Sequence, residues 1–200
     1  MHSSWKQTFN ELTLVEPARY AIVESWARCA TALHTRDGHP AFKEVDAADL
    51  ALRQHKSADL IAASRPRLQQ LIAETSGRTA VAYVTDADGI VLLSVGDSAQ
   101  IANFRLSPGY DWSEATMGTN GAGTALVARR PVAVVGAEHY LHAFENCTCT
   151  AAPVFGVRRR LLGAIDVSSC VEEAVPDRLS DVIATALEIE YDLQLRAAAS

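Results

Sequence analysis

The chain has 200 residues, of which 48% are hydrophobic and 21% charged, a globular balance that excludes both a disordered tail and a disulfide-rich mini-protein. Lys and Arg number 18 against 24 Asp and Glu, a net charge of −6, so direct contact of this chain with nucleic acid is not expected. No stretch approaches the roughly 20 apolar residues of a membrane span, and the opening MHSSWKQTFNELTLVEP lacks the basic start and apolar run of a signal peptide. The expected location is the cytoplasm, away from any membrane, with the four cysteines Cys29, Cys147, Cys149 and Cys170 kept as thiols.

From Pro17 to Thr35 the apolar positions Ile22, Val23, Trp26, Cys29, Ala30 and Leu33 recur three and four apart, which predicts a helix starting near Pro17. Asp37-Gly38-His39-Pro40 ends it. Asp46 then caps a second helical stretch to about Ala63, with an interruption near Pro66 and a continuation to Ser76-Gly77. The β-branched run Thr79–Thr85, the turn Asp86-Ala87-Asp88-Gly89 and the run Ile90–Val95 predict a hairpin.

A short helix is expected over Asp97–Phe104, then a polar, Gly-rich loop from Ser107 to Asn120 and a helix from Gly121 to Arg129. Pro131–Val135 reads as a short strand, and Glu138–Glu145 as a short helix or turn. Cys147–Val157 and Leu161–Ser169 form a second hairpin around Arg158-Arg159-Arg160. Pro176–Ala199, with Leu179, Val182, Ile183, Ala186, Leu187 and Leu193 near one face, is an amphipathic helix. The fold class is α+β with an antiparallel sheet. Residues 1–76 make a helical extension, 77–174 the sheet domain, and 175–200 a terminal helix. The apolar stripes of the first and last helices suit pairing with a second copy or packing on the protein's own sheet.

The densest polar cluster is His139, His142, Cys147 and Cys149, a soft-ligand set of the kind that holds zinc, iron or copper. Its spacing is not that of a zinc ribbon, and free cysteines often do no more than fill a core. GTNGAG at 118–123 superficially resembles a dinucleotide loop, but YDWSEATM before it is polar rather than a buried strand, so Thr119 and Asn120 read as caps of the following helix. Asp86 and Asp88 are turn formers. Asp166 interrupts the apolar run LLGAIDV; it either faces solvent by alternation or accepts hydrogen bonds inside a cavity. There is no Gly-x-Ser-x-Gly, HExxH or Walker-type motif.

Three stretches, GYDWSEATMGTNGAGTAL at 109–126, RPVAVVGAEHYLHAFENCTCTAAPV at 130–154 and LLGAIDVSS at 161–169, join ESWARC at 24–29 and VTDADGIVLLSVGD at 84–97. Together they resemble the N-terminal sensory region of the acetoin catabolism regulator family, sigma-54-dependent transcriptional activators whose sensory region looks like a GAF domain. The resemblance implies a five- to six-stranded antiparallel sheet, helices of the chain ends on one face, and a ligand cavity on the other roofed by residues 107–145. Carried over by position, it implies Trp112, Thr119, Asn120, His139, Tyr140, Cys149 and Asp166 as ligand-binding residues. Trp112 serves equally well as a core anchor and His139 as a buried histidine tied to a carbonyl.

Two features depart from the family pattern: Cys147 stands where the family tends to have Trp, and Gly156-Val157-Arg158-Arg159-Arg160 replaces the usual Asp/Gly turn. The ATPase and helix-turn-helix domains of full-length members lie outside these 200 residues. The expectation is a non-enzymatic sensor without a bound cofactor. It takes a small-molecule effector, an acetoin-like ketol or diol, pairs with a second copy through its terminal helices, and signals to a fused or partner AAA+ output domain. The alternative is a thiol or metal sensor built on Cys147 and Cys149 with His139 and His142. A third reading, reduction of free methionine sulfoxide, fits the fold type, but the quoted strings do not belong to that group.

Overall fold

The computed structural model describes residues 17–33, 35–75, 79–173 and 178–199. Its frame is two antiparallel hairpins. The run rich in β-branched residues becomes β1 (Ala80–Asp86). Asp86 closes the turn by accepting the backbone N–H groups of Asp88 and Ile90 on Oδ1, and β2 (Val91–Gly96) returns. The second hairpin joins β4 (Cys147–Phe155) to β5 (Leu161–Cys170), and β3 (Val132–Val135) borders β4. The order is β2-β1-β5-β4-β3, with every neighbouring pair antiparallel, which gives five strands. β1 and β4 are buried along their whole length because both faces of the sheet are covered.

Two helices cover one face, α3 (Ala58–Ala73) from the N-terminal third and α7 (Arg178–Ala199) from the C-terminal end. Leu60, Leu68 and Leu71 of α3 and Val182, Ile189 and Leu193 of α7 pack on Ala82, Val84, Ile165, Val167 and Val154. Each fully buried aliphatic side chain in that layer contributes roughly 1.5–3 kcal/mol. The other face meets α1 (Pro17–Ala32), α6 (Gly121–Ala128) and the segment between β2 and β4. That segment carries α4 (Ser98–Asn103), the one-turn helix α5 (Glu114–Met117) and the 3₁₀ turns Gly136–Glu138 and His142–Phe144. The first helix among the described residues, α1, therefore lies opposite α3 and α7.

Several expectations shift. The second helical stretch breaks at Ser57, between α2 (Ala47–Lys56) and α3, while Pro66 sits inside α3. Pro66 and Ala62, whose carbonyl loses its partner there, are both exposed to solvent, while Leu60, Ala63 and Leu68 anchor the helix. In α1 the buried positions are Ala21, Ile22, Ser25 and Cys29, and Val23 and Ala30 face outward. Leu187 of α7 also faces outward. The loop at 107–120 contains α5, which sequence periodicity cannot detect in four residues. α1 ends at Ala32, short of the expected Thr35, while the expected helix end at Ser76-Gly77 and the start at Pro176 lie outside the described residues. No helix among the described residues is long and apolar enough to cross a membrane.

Candidate functional site

The polar residues of the roofed face are assembled by strand alternation. On β5, Ala164, Asp166 and Ser168 face the roof while Ile165 and Val167 face α3 and α7. On β4, Cys147 and Cys149 face the roof together, as their spacing of two requires. Tyr83 on β1 lies directly opposite Asp166, and Cys149 directly opposite Ser168.

These registers form one polar line. His139 Nδ1 lies 3.0 Å from the Gly136 carbonyl, and its Nε2 lies 3.3 Å from Cys149 Sγ. Ser168 Oγ contacts the same sulfur at 3.3 Å and lies 2.7 Å from Asp166 Oδ1, to which it donates when its proton points that way. The second carboxylate oxygen, Asp166 Oδ2, and the Tyr83 hydroxyl are buried without a well-formed hydrogen bond, although the phenol and the Ala122 N–H stand near enough to the carboxyl to favour its charged form. Buried polar atoms without partners are uncommon in native proteins, and each calls for an explanation. Gly121 makes the approach possible: a Cβ there would stand 1.9 Å from Asp166 Oδ2 and 2.9 Å from Cys149 Cβ. The first turn of α6 therefore rests directly on the carboxylate.

Burial sets the charges of the line. It pushes the Asp166 carboxyl up to about 7 and the His139 imidazolium down to about 4. It also raises the Cys149 thiol and the Tyr83 phenol well above their ordinary values, with Asp166 adding to both. At neutral pH His139 is a neutral imidazole and Cys149 a thiol, so the pair is not a thiolate–imidazolium nucleophile.

A cavity of about 10 Å³ opens between this line and the roof, room for about one water-sized group. Its walls include Trp112, His139, Phe144, Cys147, Cys149 and Ser168. Trp112 is pinned by its Nε1–H, which donates to the Arg105 carbonyl at 2.9 Å, and its ring lies 5.4 Å from that of Phe144. A larger groove of about 700 Å³ lies at the far end of the sheet, lined by charged residues such as Arg53, Asp86, Asp88 and Arg158. Arg53 there is already bonded to Asp86 and Asp88. The groove touches none of the polar line, and the smaller cavity is the candidate site.

Three of the expected residues lie elsewhere. Asn120 is the N-cap of α6: its Oδ1 accepts the Gly123 N–H at 2.8 Å and its Nδ2 donates to the Gly118 carbonyl. Thr119 faces α1, with Oγ1 2.7 Å from Ser25 Oγ. Tyr140 packs edge-on against Trp26 at 5.9 Å, and its Cβ lies where a Cβ on Gly118, at φ +72°, would collide. The four-ligand grouping does not gather either. His142 is exposed beside Glu145 and Asp37, away from Cys149, and no group of three or more metal-ligating side chains converges among the described residues.

Sequence reasoning missed Ser168, Tyr83 and a latch between α1 and the roof. Arg28 grips the buried Glu114 of α5 with two hydrogen bonds, of 2.6 and 3.0 Å. Ser25 donates to the same carboxylate at 2.6 Å and also lies within reach of Thr119 and Thr124. Ser168 was recoverable, since it stands two residues from Asp166 on one strand. Tyr83 and the latch needed the strand register and the packing of α1.

The fold and this buried face define a one-sheet α+β domain with apolar helices on one side and a roofed polar cavity on the other. Comparison with known proteins places it further: residues 12–190 match the model of the family described as MimR, N-terminal domain, and the chain belongs to that family. It is 32% identical over 200 residues to the acetoin dehydrogenase operon transcriptional activator AcoR of Bacillus subtilis, covering 97% of this chain and 32% of that protein. It is likewise 32% identical over 163 residues to the propane 2-monooxygenase operon transcriptional activator MimR of Mycolicibacterium smegmatis, covering 78% of this chain and 26% of that one. The chain thus spans about a third or less of these two activators. A chain in the crystal structure of the Escherichia coli DhaR(N)–DhaL complex superposes with a TM-score of 0.83 over 90% of this chain and 61% of its own, at 20% identity. That likeness is one of fold. The resemblance to acetoin regulators read from the motifs is borne out by the relatives, which also include the acetoin catabolism regulatory protein of Cupriavidus necator at 32% identity over 131 residues, 63% of this chain and 20% of that protein.

Proposed function

We propose that this chain is a sensory domain that binds a small polar molecule between the β4–β5 face and its roof and controls transcription through a fused or partner sigma-54 activator in the cytoplasm. The observation that carries this reading is a buried carboxyl, Asp166, and a buried phenol, Tyr83, each without a well-formed hydrogen bond on Oδ2 and Oη, lying behind Ser168, which walls a mostly apolar cavity. Apolar walls with a few convergent polar groups are the usual make-up of a small-molecule site. A carboxyl about half protonated near pH 7, a phenol and a neutral imidazole offer both donors and acceptors to the hydroxyl and carbonyl of a ketol or diol.

A four-carbon ketol does not fit into about 10 Å³, so occupancy requires Trp112, Phe144 and the first turn of α6 to give way. The latch then links site to output: whatever moves α5 and α6 pulls on α1 through Glu114, Arg28 and Ser25. A ligand shifts such an equilibrium only by its difference in affinity for the two arrangements. We also read α7 as the contact with a second copy, because Leu187, Tyr191 and Leu195 are 59, 62 and 53% exposed in one stripe of spacing four. DNA contact and ATP hydrolysis belong to other domains in this reading, which assigns this chain no catalysis and no cofactor.

Native mass spectrometry of the wild-type chain titrated with acetoin and with butane-2,3-diol tests the reading. Uptake of one molecule per chain is expected, with protection of 104–145 against hydrogen exchange. No uptake, or uptake without any change in 104–145, contradicts it.

A further inference from the structure

We infer that Cys147 and Cys170 form a redox-active dithiol at the edge of the cavity, able to close into a cross-strand disulfide. The ladder between β4 and β5 brings the two thiols together. Cys147 is the register partner of Cys170, and one step further out the Val171 N–H donates to the Asn146 carbonyl at 2.9 Å. In an antiparallel ladder hydrogen-bonded and non-hydrogen-bonded pairs alternate, so Cys147 and Cys170 occupy a non-hydrogen-bonded site. At such sites Cα atoms lie about 4.5 Å apart and side chains approach most closely, within the span of about 4.4–6.8 Å that a disulfide bridges.

The same ladder supplies an internal check two residues along. Cys149 and Ser168 are the next non-hydrogen-bonded partners, and there Ser168 Oγ stands 3.3 Å from Cys149 Sγ. The γ atoms of such a pair in this sheet therefore meet. Cys147 and Cys149 are two apart on one strand, about 6.5–7 Å between Cα atoms, and are much the poorer couple. All four cysteines are free thiols, Cys147 buried and Cys170 half-buried. Burial, with Cys170 close by, pushes the Cys147 thiol up to about 12, so the more exposed Cys170 takes the first oxidation.

With a hydroperoxide as oxidant, Cys170 Sγ attacks the outer peroxide oxygen. The O–O bond breaks, one alcohol or water leaves, and Cys170 becomes a sulfenic acid. Cys147 Sγ then displaces the hydroxyl, its proton leaves with that oxygen as water, and the S–S bond forms. Two electrons have passed from the two thiols to the peroxide. The bridge ties the first residue of β4, just after the roof, to the last residue of β5, from which the chain turns through Val171–Glu173 towards α7. Cys147 also walls the ligand cavity, but the dithiol reading does not rest on a ligand and its test needs none.

The experiment is hydrogen peroxide treatment of the whole chain, followed by alkylation, intact mass and peptide mapping. The expected result is a loss of two hydrogens, reversed by dithiothreitol, with the peptides of Cys147 and Cys170 joined. Cys170→Ser, at a half-buried position, abolishes the loss, and Cys149→Ser and Cys29→Ser leave it intact. Without oxidant, the dithiol reagent phenylarsine oxide adds once to the wild type with release of one water and not to Cys170→Ser. A bridge to Cys149 or Cys29, full alkylation of Cys147 and Cys170 after peroxide, or equal arsenical uptake by Cys170→Ser overturns the inference.

Discussion

The two faces of one sheet have been built for different ends. Under α3 and α7 the strands present Ala82, Val84, Ile165 and Val167 to leucines and isoleucines, a largely aliphatic layer, although α3 also buries Ser64 without a partner for its hydroxyl. Under α1, α6 and the roof, alternate residues of the same strands present Tyr83, Asp166, Ser168 and Cys149. Burying a carboxyl costs stability unless its bonds are met, and here one oxygen is unmet. The helix-covered face holds the domain together, and the roofed face spends part of that stability on a chemical environment. Strand alternation is what lets the two coexist only one residue apart.

Ile189→Ala, on the fully buried face of α7, is expected to lower the unfolding free energy by about 2–5 kcal/mol in urea titrations; a loss below about 1 kcal/mol would mean that this layer is not the stabilising one. Asp166 acts with the opposite sign. A carboxyl raised from 3.8 to about 7 on folding holds its proton in the native state after the unfolded chain has lost its own. Its contribution to stability therefore falls as pH rises from about 4 to 7, by roughly 4 kcal/mol. Asp166→Asn should leave the domain at least as stable as wild type at pH 7.5, and a clear loss there would show the carboxylate to be stabilising.

His139 titrates against Asp166. Its fall from 6.5 to about 4 means that the unfolded chain binds a proton which the native imidazole refuses, so its contribution rises with pH over that window. The two slopes oppose each other between pH 4 and 6.5 in the wild type. They should separate in the variants, stability rising with pH in Asp166→Asn and falling with pH in His139→Gln. Equal slopes in the two variants would break the pairing.

Smaller effects test the latch and the outer stripe. Arg28→Ala leaves the Glu114 carboxylate buried with Ser25 still donating, and an unfolding free energy lower by about 1–3 kcal/mol is expected. Hydrogen exchange should quicken in α1 and α5 and stay unchanged in α3; uniform quickening would mean that the latch is not local. Leu187→Asp should change stability by no more than about 0.5 kcal/mol and reduce the mass seen by light scattering at low micromolar concentration from two chains to one. An unchanged mass removes α7 as the contact.

Hairpins, a cap and long helices could be read from the chain because each is written locally: β-branched runs around Asp86–Gly89, Asp46 as a cap, apolar positions three and four apart in α7. Asp166 stood out as a carboxyl within an apolar strand, and the motif resemblance marked His139 and Cys149. What brings these three together is the register of β5 against β1 and β4, which no local pattern encodes. The same limit explains why Thr119 and Tyr140 belong to the packing of α1 instead, and why Cys147 pairs with a cysteine 23 positions later rather than with its near neighbour.

The most direct test is a calorimetric titration of acetoin and butane-2,3-diol into Ile189→Ala and Asp166→Asn side by side, at a temperature where both are folded. The account predicts that Ile189→Ala, though less stable, binds as the wild type does, while Asp166→Asn loses at least about tenfold in affinity, or about 1.4 kcal/mol. Binding unchanged in Asp166→Asn, or lost in both variants alike, would contradict it.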